Sequence, residues 1–356
     1  MKTVRASQPV LDGIVPYDPK YLPAETLLSA NENPLNLPED IVEEIITELR
    51  MCAFNRYPDP LANELRDLIA QANGLKRENV LMGNGGDELL FDMALAWGCE
   101  GRKFLTVVPT FSVYQANALL NKTEAVLIER KDNFEIDEEA VLERVAQGDI
   151  DYVIITSPNN PTGTCARVEF IEELLNTTDA LVMVDEAYSE FSKRTLEGLL
   201  SEHKNLLLLR TFSKAYRLAG VRLGYILAHE DVIKEFIKVR QPYSVDAVSQ
   251  LIGKVVFTNR DKLQPAIDEI IRQRGIMAQN LAGLEGVEVF DSQANYLLIR
   301  LPDADKVWDA LYEKGILVRD FSKAKYLTNC LRITVGTEEE NNKVVAALAE
   351  ILTERK

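Results

Sequence analysis

The stretch "LLLLRTFSKAYRLAGVRLGY", residues 206–225, sets an apolar run directly against Thr211, Ser213, Lys214 and Arg222. A surface loop needs no apolar run aimed at it, and a core segment would not take a lysine together with arginines. The stretch therefore reads as a buried strand that carries Lys214 to its end and holds it there. Hydroxyls beside an arginine make a phosphate-binding set. A lysine amine next to them is the group that forms a Schiff base with an aldehyde.

Three further strand ends carry polar residues. Asp185 closes "ALVMVD", and a carboxylate after an apolar run needs a partner or a task. Taken alone, it reads more readily as a cap for the next helix. "TSPNNPTGT", residues 156–164, is a stiff turn between prolines that projects Asn159 and Asn160. "LMGNGGDELL", residues 81–90, is strand, glycines and helix. The amides of Gly85, Gly86 and Asp87, with the helix end, suit a phosphate. The stretch matches neither the dinucleotide fingerprint nor a Walker loop, and alone a tight turn explains it equally well. Together the pieces describe a ligand with an aldehyde, a phosphate and a ring nitrogen, which is pyridoxal phosphate. Lys214 would form the imine and Asp185 would hold the ring nitrogen protonated. Asn160 and Tyr188 would bond the ring's phenolic oxygen. Thr211, Ser213, Arg222 and the Gly86 amide would take the phosphate, and Tyr114 would stack on the ring face.

The elements that must position these residues are legible. Apolar runs at 79–83, 103–108, 125–128, 152–157, 180–185, 206–210 and 222–228 read as buried strands. Amphipathic stretches such as "DELLFDMALAW" and "RVEFIEELLN" lie between them. This pattern predicts an α/β fold, with a mostly parallel seven-stranded sheet between helices in a large domain. Ligands of such sheets gather beyond the carboxyl ends of the strands. A long helical region at about 246–283 then leads to an α+β module with strands in "VEVFDSQANYLLIRL", "GILVRDFS" and "CLRITVG". The expected division is an arm over 1–34 that packs with the small domain or a partner subunit, a large domain over 35–250, and a small domain over 251–356 that includes the connecting helix. Eight of the 14 prolines lie at or before Pro60, which suits an extended arm with short helices.

Composition narrows the function classes. The 356 residues carry 56 acidic against 40 basic side chains, a formal charge of −16. That charge opposes binding to nucleic acid and to anionic membranes. No apolar run nears the ~18 residues of a membrane span. Four dispersed cysteines and two histidines, His203 and His229, draw no zinc-type constellation, so no metal is expected. Free thiols and the lack of a signal-peptide apolar region point to a cytoplasmic protein.

"SPNNPTG", "VDEAY" and "TFSKAYRLAGVRLGY" stand in the order and approximate spacing of the fold type I, aspartate-aminotransferase-like pyridoxal phosphate enzymes, which the chain resembles over nearly its whole length. Within that group "SANENP", "NRYPDP", "GNGGDE", "PYSVDAVSQ", "LVRDFS" and "NCLRITVGT" resemble the histidinol-phosphate aminotransferases. The resemblance implies a homodimer in which Tyr57 reaches the neighbour's cofactor phosphate. It places Gly86, Asp87 and Glu88 at the cofactor and Tyr188 with Lys214 and Asp185 among the catalytic residues. Arg332 would bind the substrate anion and Arg319 would help clamp the substrate phosphate. Tyr17 and Asn160 would border that phosphate, and Asn31 and Asn295 would line the substrate pocket. At position 217 the family commonly has a small residue, so Arg217 either faces solvent or alters the pocket rim.

The implied reaction is ping-pong transfer of an amino group between histidinol phosphate and 2-oxoglutarate, through the Lys214 Schiff base. Rivals on the same fold are an aromatic amino acid aminotransferase and a threonine-phosphate decarboxylase. A rival of another class is a non-catalytic ligand sensor, which the net charge and the absence of room for a helix-turn-helix oppose.

Overall fold

The computed structural model describes residues 5–354 apart from 15, 17, 19 and 21. Tyr17 lies outside the described residues. The strands are β1 Thr26–Leu28, β2 Val80–Asn84, β3 Lys103–Val108, β4 Glu124–Glu129, β5 Tyr152–Thr156, β6 Leu181–Asp185, β7 Leu206–Thr211, β8 Leu223–Ala228, β9 Glu288–Val289, β10 Tyr296–Arg300, β11 Ile316–Asp320 and β12 Cys330–Thr334.

Seven of them form one sheet in the order β2-β8-β7-β6-β5-β3-β4. β4, β3, β5, β6 and β7 run parallel, while β8 is antiparallel to both β7 and β2. The central strands are apolar along most of their length because both faces are covered. Val153 and Ile155 of β5, with Leu206 and Leu208 of β7, enter one core with Ile41, Leu65 and Phe170 from helices. Tyr152, Ile154, Leu207 and Leu209 alternate into a second core with Leu89, Met93 and Phe236. Continuous apolar runs are the mark of such doubly covered strands.

The other five strands make a second sheet, β1-β11-β12-β10-β9. β1, which comes from the arm, adds parallel to β11, and the remaining pairs are antiparallel. Its core contains Leu28, Tyr296, Leu311 and Leu348, and it also takes in Tyr188 from the loop after β6 and Ala215 beside the lysine. The small sheet is thus packed against the very segments that carry the polar residues. The helical region expected at 246–283 is two helices, Ala247–Thr258 and Gln264–Ala282, parted by a short turn at Arg260–Leu263. Pro265, at the start of the second helix, has no N–H for a helix continuing through it.

Candidate active site

β5, β6 and β7 end side by side, so Thr156, Asp185 and Thr211 reach one rim of the sheet; Thr156 and Asp185 are register partners. A cavity of about 450 Å³ opens there. Its wall includes Gly86, Asp87, Tyr114, Asn160, Asp185 and Tyr188, together with Thr211, Ser213, Lys214 and Arg222. Asn31, Arg319 and Arg332 close it from the small-sheet side.

Asp185 is 6% exposed, and burial pushes its carboxyl up to about 6. Two hydrogen bonds oppose that shift: the Tyr114 hydroxyl donates to Oδ2 at 2.6 Å and the Ala187 amide to Oδ1 at 3.0 Å. A second oxygen, Thr156 Oγ1, lies 2.8 Å from the Tyr114 hydroxyl. Tyr114 therefore meets the site through its hydroxyl, at the aspartate, and not solely through its ring. The ring stands edge-on to Phe111 at 5.6 Å, and Phe111 also lines the cavity. No motif in the sequence singled out Phe111, though it sits two residues after Pro109 at the end of β3.

Lys214 is half-buried, and its Nζ donates to the Ala30 carbonyl at 2.9 Å. Burial lowers its amine to about 8; Arg332 and Arg222 add to the fall and Glu32 opposes it. A neutral amine, the nucleophilic form, is thereby accessible near pH 8.

Gly85, Gly86 and Asp87 begin the helix Gly85–Trp97 directly after β2. Arg222 holds the loop after β7 against that helix: Nη2 donates to Asp87 Oδ2 at 2.9 Å and Nη1 to Ser213 Oγ at 3.3 Å. The backbone at position 85 favours glycine. Its φ is positive, and a Cβ there would stand 2.5 Å from Arg222 Nη2. Only glycine adopts that backbone without strain and leaves that space free. Helix amides, two hydroxyls and a guanidinium are thus gathered at one end of the cavity. Glu88 is not part of this cradle. Its carboxylate turns back along the helix and accepts the Asn84 amide at 2.6 Å, and it does not line the cavity.

At the other end Arg319 of β11 and Arg332 of β12 are register partners, so their side chains leave the small sheet on one face. Like charges set opposite one another are unfavourable unless an anion joins them. Arg332 donates to Asn160 Oδ1, and through Nη2 to the Ser29 carbonyl at 2.6 Å. Its guanidinium lies 5.2 Å from the Tyr296 ring centroid. A second chamber of about 310 Å³ shares Phe111, Asn160, Arg319 and Arg332 with the first.

The structure places three other residues. Asn295 does not line the cavity: it is fully buried, and its Nδ2 donates to the Asn31 carbonyl at 3.0 Å. Arg217 is partly exposed and does not line the cavity. Its Nη1 donates to the Asn36 carbonyl at 2.5 Å, pinning the lysine loop to the segment that follows β1. His203 comes together with Glu172 and Glu202, with ligand atoms within 4.8 Å of one another, a set outside the cysteine and histidine pattern weighed for zinc. None of the three lines the cavity, and the two glutamates are exposed. Tyr57 is 82% exposed and stacks on Tyr243 at 4.6 Å, away from its own chain's cavity.

A family model for aminotransferase class I and II matches residues 24–348. The chain belongs to that family. It is a pyridoxal-phosphate-dependent transaminase. It is 42% identical over 338 residues to histidinol-phosphate aminotransferase 1 of Carboxydothermus hydrogenoformans, covering 95% of this chain and 96% of that one. It is 36% identical to the histidinol-phosphate aminotransferase of Chlorobium chlorochromatii, over 94% and 92% of the two chains. The crystal structure of the Sinorhizobium meliloti histidinol-phosphate aminotransferase in complex with pyridoxal-5'-phosphate superposes with a TM-score of 0.89, covering 99% of both chains at 23% identity, a likeness of fold. The transaminase's cavity fits its cofactor on its own chemistry. The buried carboxylate of Asp185 calls for a cation, the Lys214 amine is lowered to about 8, and Arg222 with two hydroxyls stands beside the first amides of the helix after β2, a set that suits an aldehyde, a ring nitrogen and a phosphate.

Proposed function

We propose that this transaminase exchanges the amino group of histidinol phosphate with 2-oxoglutarate, yielding imidazole acetol phosphate and glutamate. The arginine pair carries the reading. Two guanidiniums stand on one face of the small sheet, with Asn160 beside them. Such a set suits a phosphate dianion better than a lone carboxylate. The names of the relatives at 36% and 42% identity support the same substrate.

Pyridoxal phosphate, when bound, supplies an aldehyde that receives the amino group and a ring that stores an electron pair. The residues do the rest. Thr211, Ser213, Arg222 and the Gly86 amide would hold the phosphate. Asp185 would pair with the ring nitrogen and keep a proton on it, the positive partner that a buried carboxylate calls for. Asn160 and Tyr188 would bond the ring oxygen, and Phe111 and Tyr114 would bound the ring. Lys214 would hold the cofactor through Nζ, and the same amine would move the proton at the donor's α-carbon. Arg332 and Arg319 bind the phosphate of one substrate and a carboxylate of the other in turn.

A homodimer belongs to this proposal. Met51, Phe54 and Tyr57 are 85%, 72% and 82% exposed on one short stretch. They form an apolar patch that a second subunit would cover. Tyr57 would then reach the partner's cofactor phosphate. Among the described residues no helix is long and apolar enough to cross a membrane. With four free cysteines, a cytoplasmic location fits. An arm and two domains fit the two sheets, but a boundary at 250/251 would cut the helix Ala247–Thr258, whose Val255, Val256 and Phe257 pack in the large-sheet core. The small domain would begin instead near the helix Gln264–Ala282, whose Ile267, Ile270 and Met277 join the small-sheet core.

The crystal structure of L-threonine-O-3-phosphate decarboxylase from Porphyromonas gingivalis, 25% identical with a TM-score of 0.81 over 92% of this chain and 99% of that one, keeps decarboxylation as the second reading. The test is a donor screen read from the cofactor's absorbance. Half-reactions with both histidinol phosphate and L-glutamate are expected. Reaction with phenylalanine or tyrosine alone, or carbon dioxide released from threonine phosphate, would replace the proposal.

A further inference from the structure

Asn31 sits where the two sheets meet. It is 1% exposed, and its backbone lies in the left-handed region, a conformation asparagine tolerates better than most residues. Its surroundings come from the small sheet. Thr334 Oγ1, at the end of β12, accepts the Asn31 amide at 3.0 Å and donates to its Oδ1 at 3.3 Å. Asn295 Nδ2 donates to the Asn31 carbonyl at 3.0 Å, and the Asn295 carbonyl is itself fixed by the Val335 amide at 2.9 Å. These contacts leave the Asn31 side chain one orientation. Thr334 takes Oδ1, so the other end of the amide, Nδ2, points at the Tyr188 hydroxyl and donates to it at 3.0 Å.

A phenol oxygen that accepts a hydrogen on one side directs its own hydrogen to another. We propose that Asn31 is a positioning residue that makes Tyr188 a donor toward the cavity, with Thr334 and Asn295 fixing the direction of its amide. This rests on the reading that Tyr188 bonds the ring oxygen of pyridoxal phosphate. The effect is electronic. A donor at the ring oxygen draws charge from the conjugated proton site and makes it less basic, so losing the donor raises the pH at which the bound cofactor changes colour.

The discriminating substitution is Asn31→Asp, which keeps size and places an acceptor where Nδ2 stood. Tyr188 then donates to position 31 and withdraws its hydrogen from the ring. The readout is the pH midpoint of the visible absorption change of cofactor-loaded protein without substrate, so no turnover is involved. N31D is expected to raise the midpoint by about one pH unit, a tenfold change in proton affinity. Thr334→Val, outside the cavity lining, releases the amide and should shift the midpoint part of the way. Thr334→Ser keeps the hydroxyl and should restore the wild-type value. Urea midpoints for each variant separate folding from tuning. Unchanged midpoints in both N31D and T334V overturn the inference, as does a T334S shift equal to that of T334V, which would make the effect one of packing. A wild-type protein that shows no proton-linked colour change when saturated with cofactor overturns the underlying reading as well.

Discussion

Asp185→Asn separates what the buried carboxylate does to the fold from what it does for the reaction. Folding buries the Asp185 carboxyl and moves its pKa from an ordinary 3.8 up to about 6. The sign follows from linkage. A carboxyl whose folded pKa is raised is at ease while protonated, so its contribution is intact below pH 4 and is lost as pH rises through 6. Two pH units at about 1.36 kcal/mol each make the loss about 3 kcal/mol by pH 8. The variant's amide carries no proton to lose and resembles the protonated acid. Stripped of cofactor, wild type and variant should therefore be equally stable at pH 4, and the variant should be more stable by about 3 kcal/mol at pH 8. Urea denaturation of both proteins from pH 4 to 8 measures the gap. Saturating cofactor should close it, because the ring nitrogen supplies the missing positive partner, while transamination by the variant falls by roughly 10²–10³. A gap that stays flat across this range, or that favours the wild type at pH 8, refutes the argument.

With the Lys214 amine lowered to about 8, the rate at which cofactor-free protein takes up cofactor covalently should climb with pH and level off above that value. Rapid-mixing absorbance follows it, and Lys214→Ala should yield no borohydride-stable adduct. Arg319→Ala should raise KM for histidinol phosphate by about 10–100-fold and affect glutamate less, because a charge-assisted bond to a dianion contributes roughly 1.5–3 kcal/mol; equal effects on the two half-reactions would count against a phosphate role. Behind the site, Arg210 binds Glu186 through Nε at 2.9 Å and Nη2 at 2.8 Å, with Glu186 2% exposed. Arg210→Leu should lower stability by about 3–5 kcal/mol in urea, because it strands a buried carboxylate. Activity per folded molecule should change little.

Local pattern is enough to lay out the large sheet and its reactive rim. Seven apolar runs became seven strands, because a strand covered on both faces is apolar at most of its positions, and that is visible without coordinates. Lys214, Asp185 and Thr211 stand at or just past strand ends for the same local reason. What side chains do after leaving their own element came from the assembled fold. Glu88 and Asp87 are neighbours in sequence, yet only Asp87 meets Arg222, because successive helix positions point in different directions. Asn295 and Asn31 read alike as pocket residues, but the junction of the two sheets buries the first as support for the second. Arg319 and Arg332 become a pair only through the register of β11 against β12. Burial likewise raises Asp185 and lowers Lys214, and burial belongs to the folded chain. Pattern reveals where an element runs and which faces are covered, whereas the partner of a polar group is set by contacts between elements distant in sequence, which local spacing does not encode.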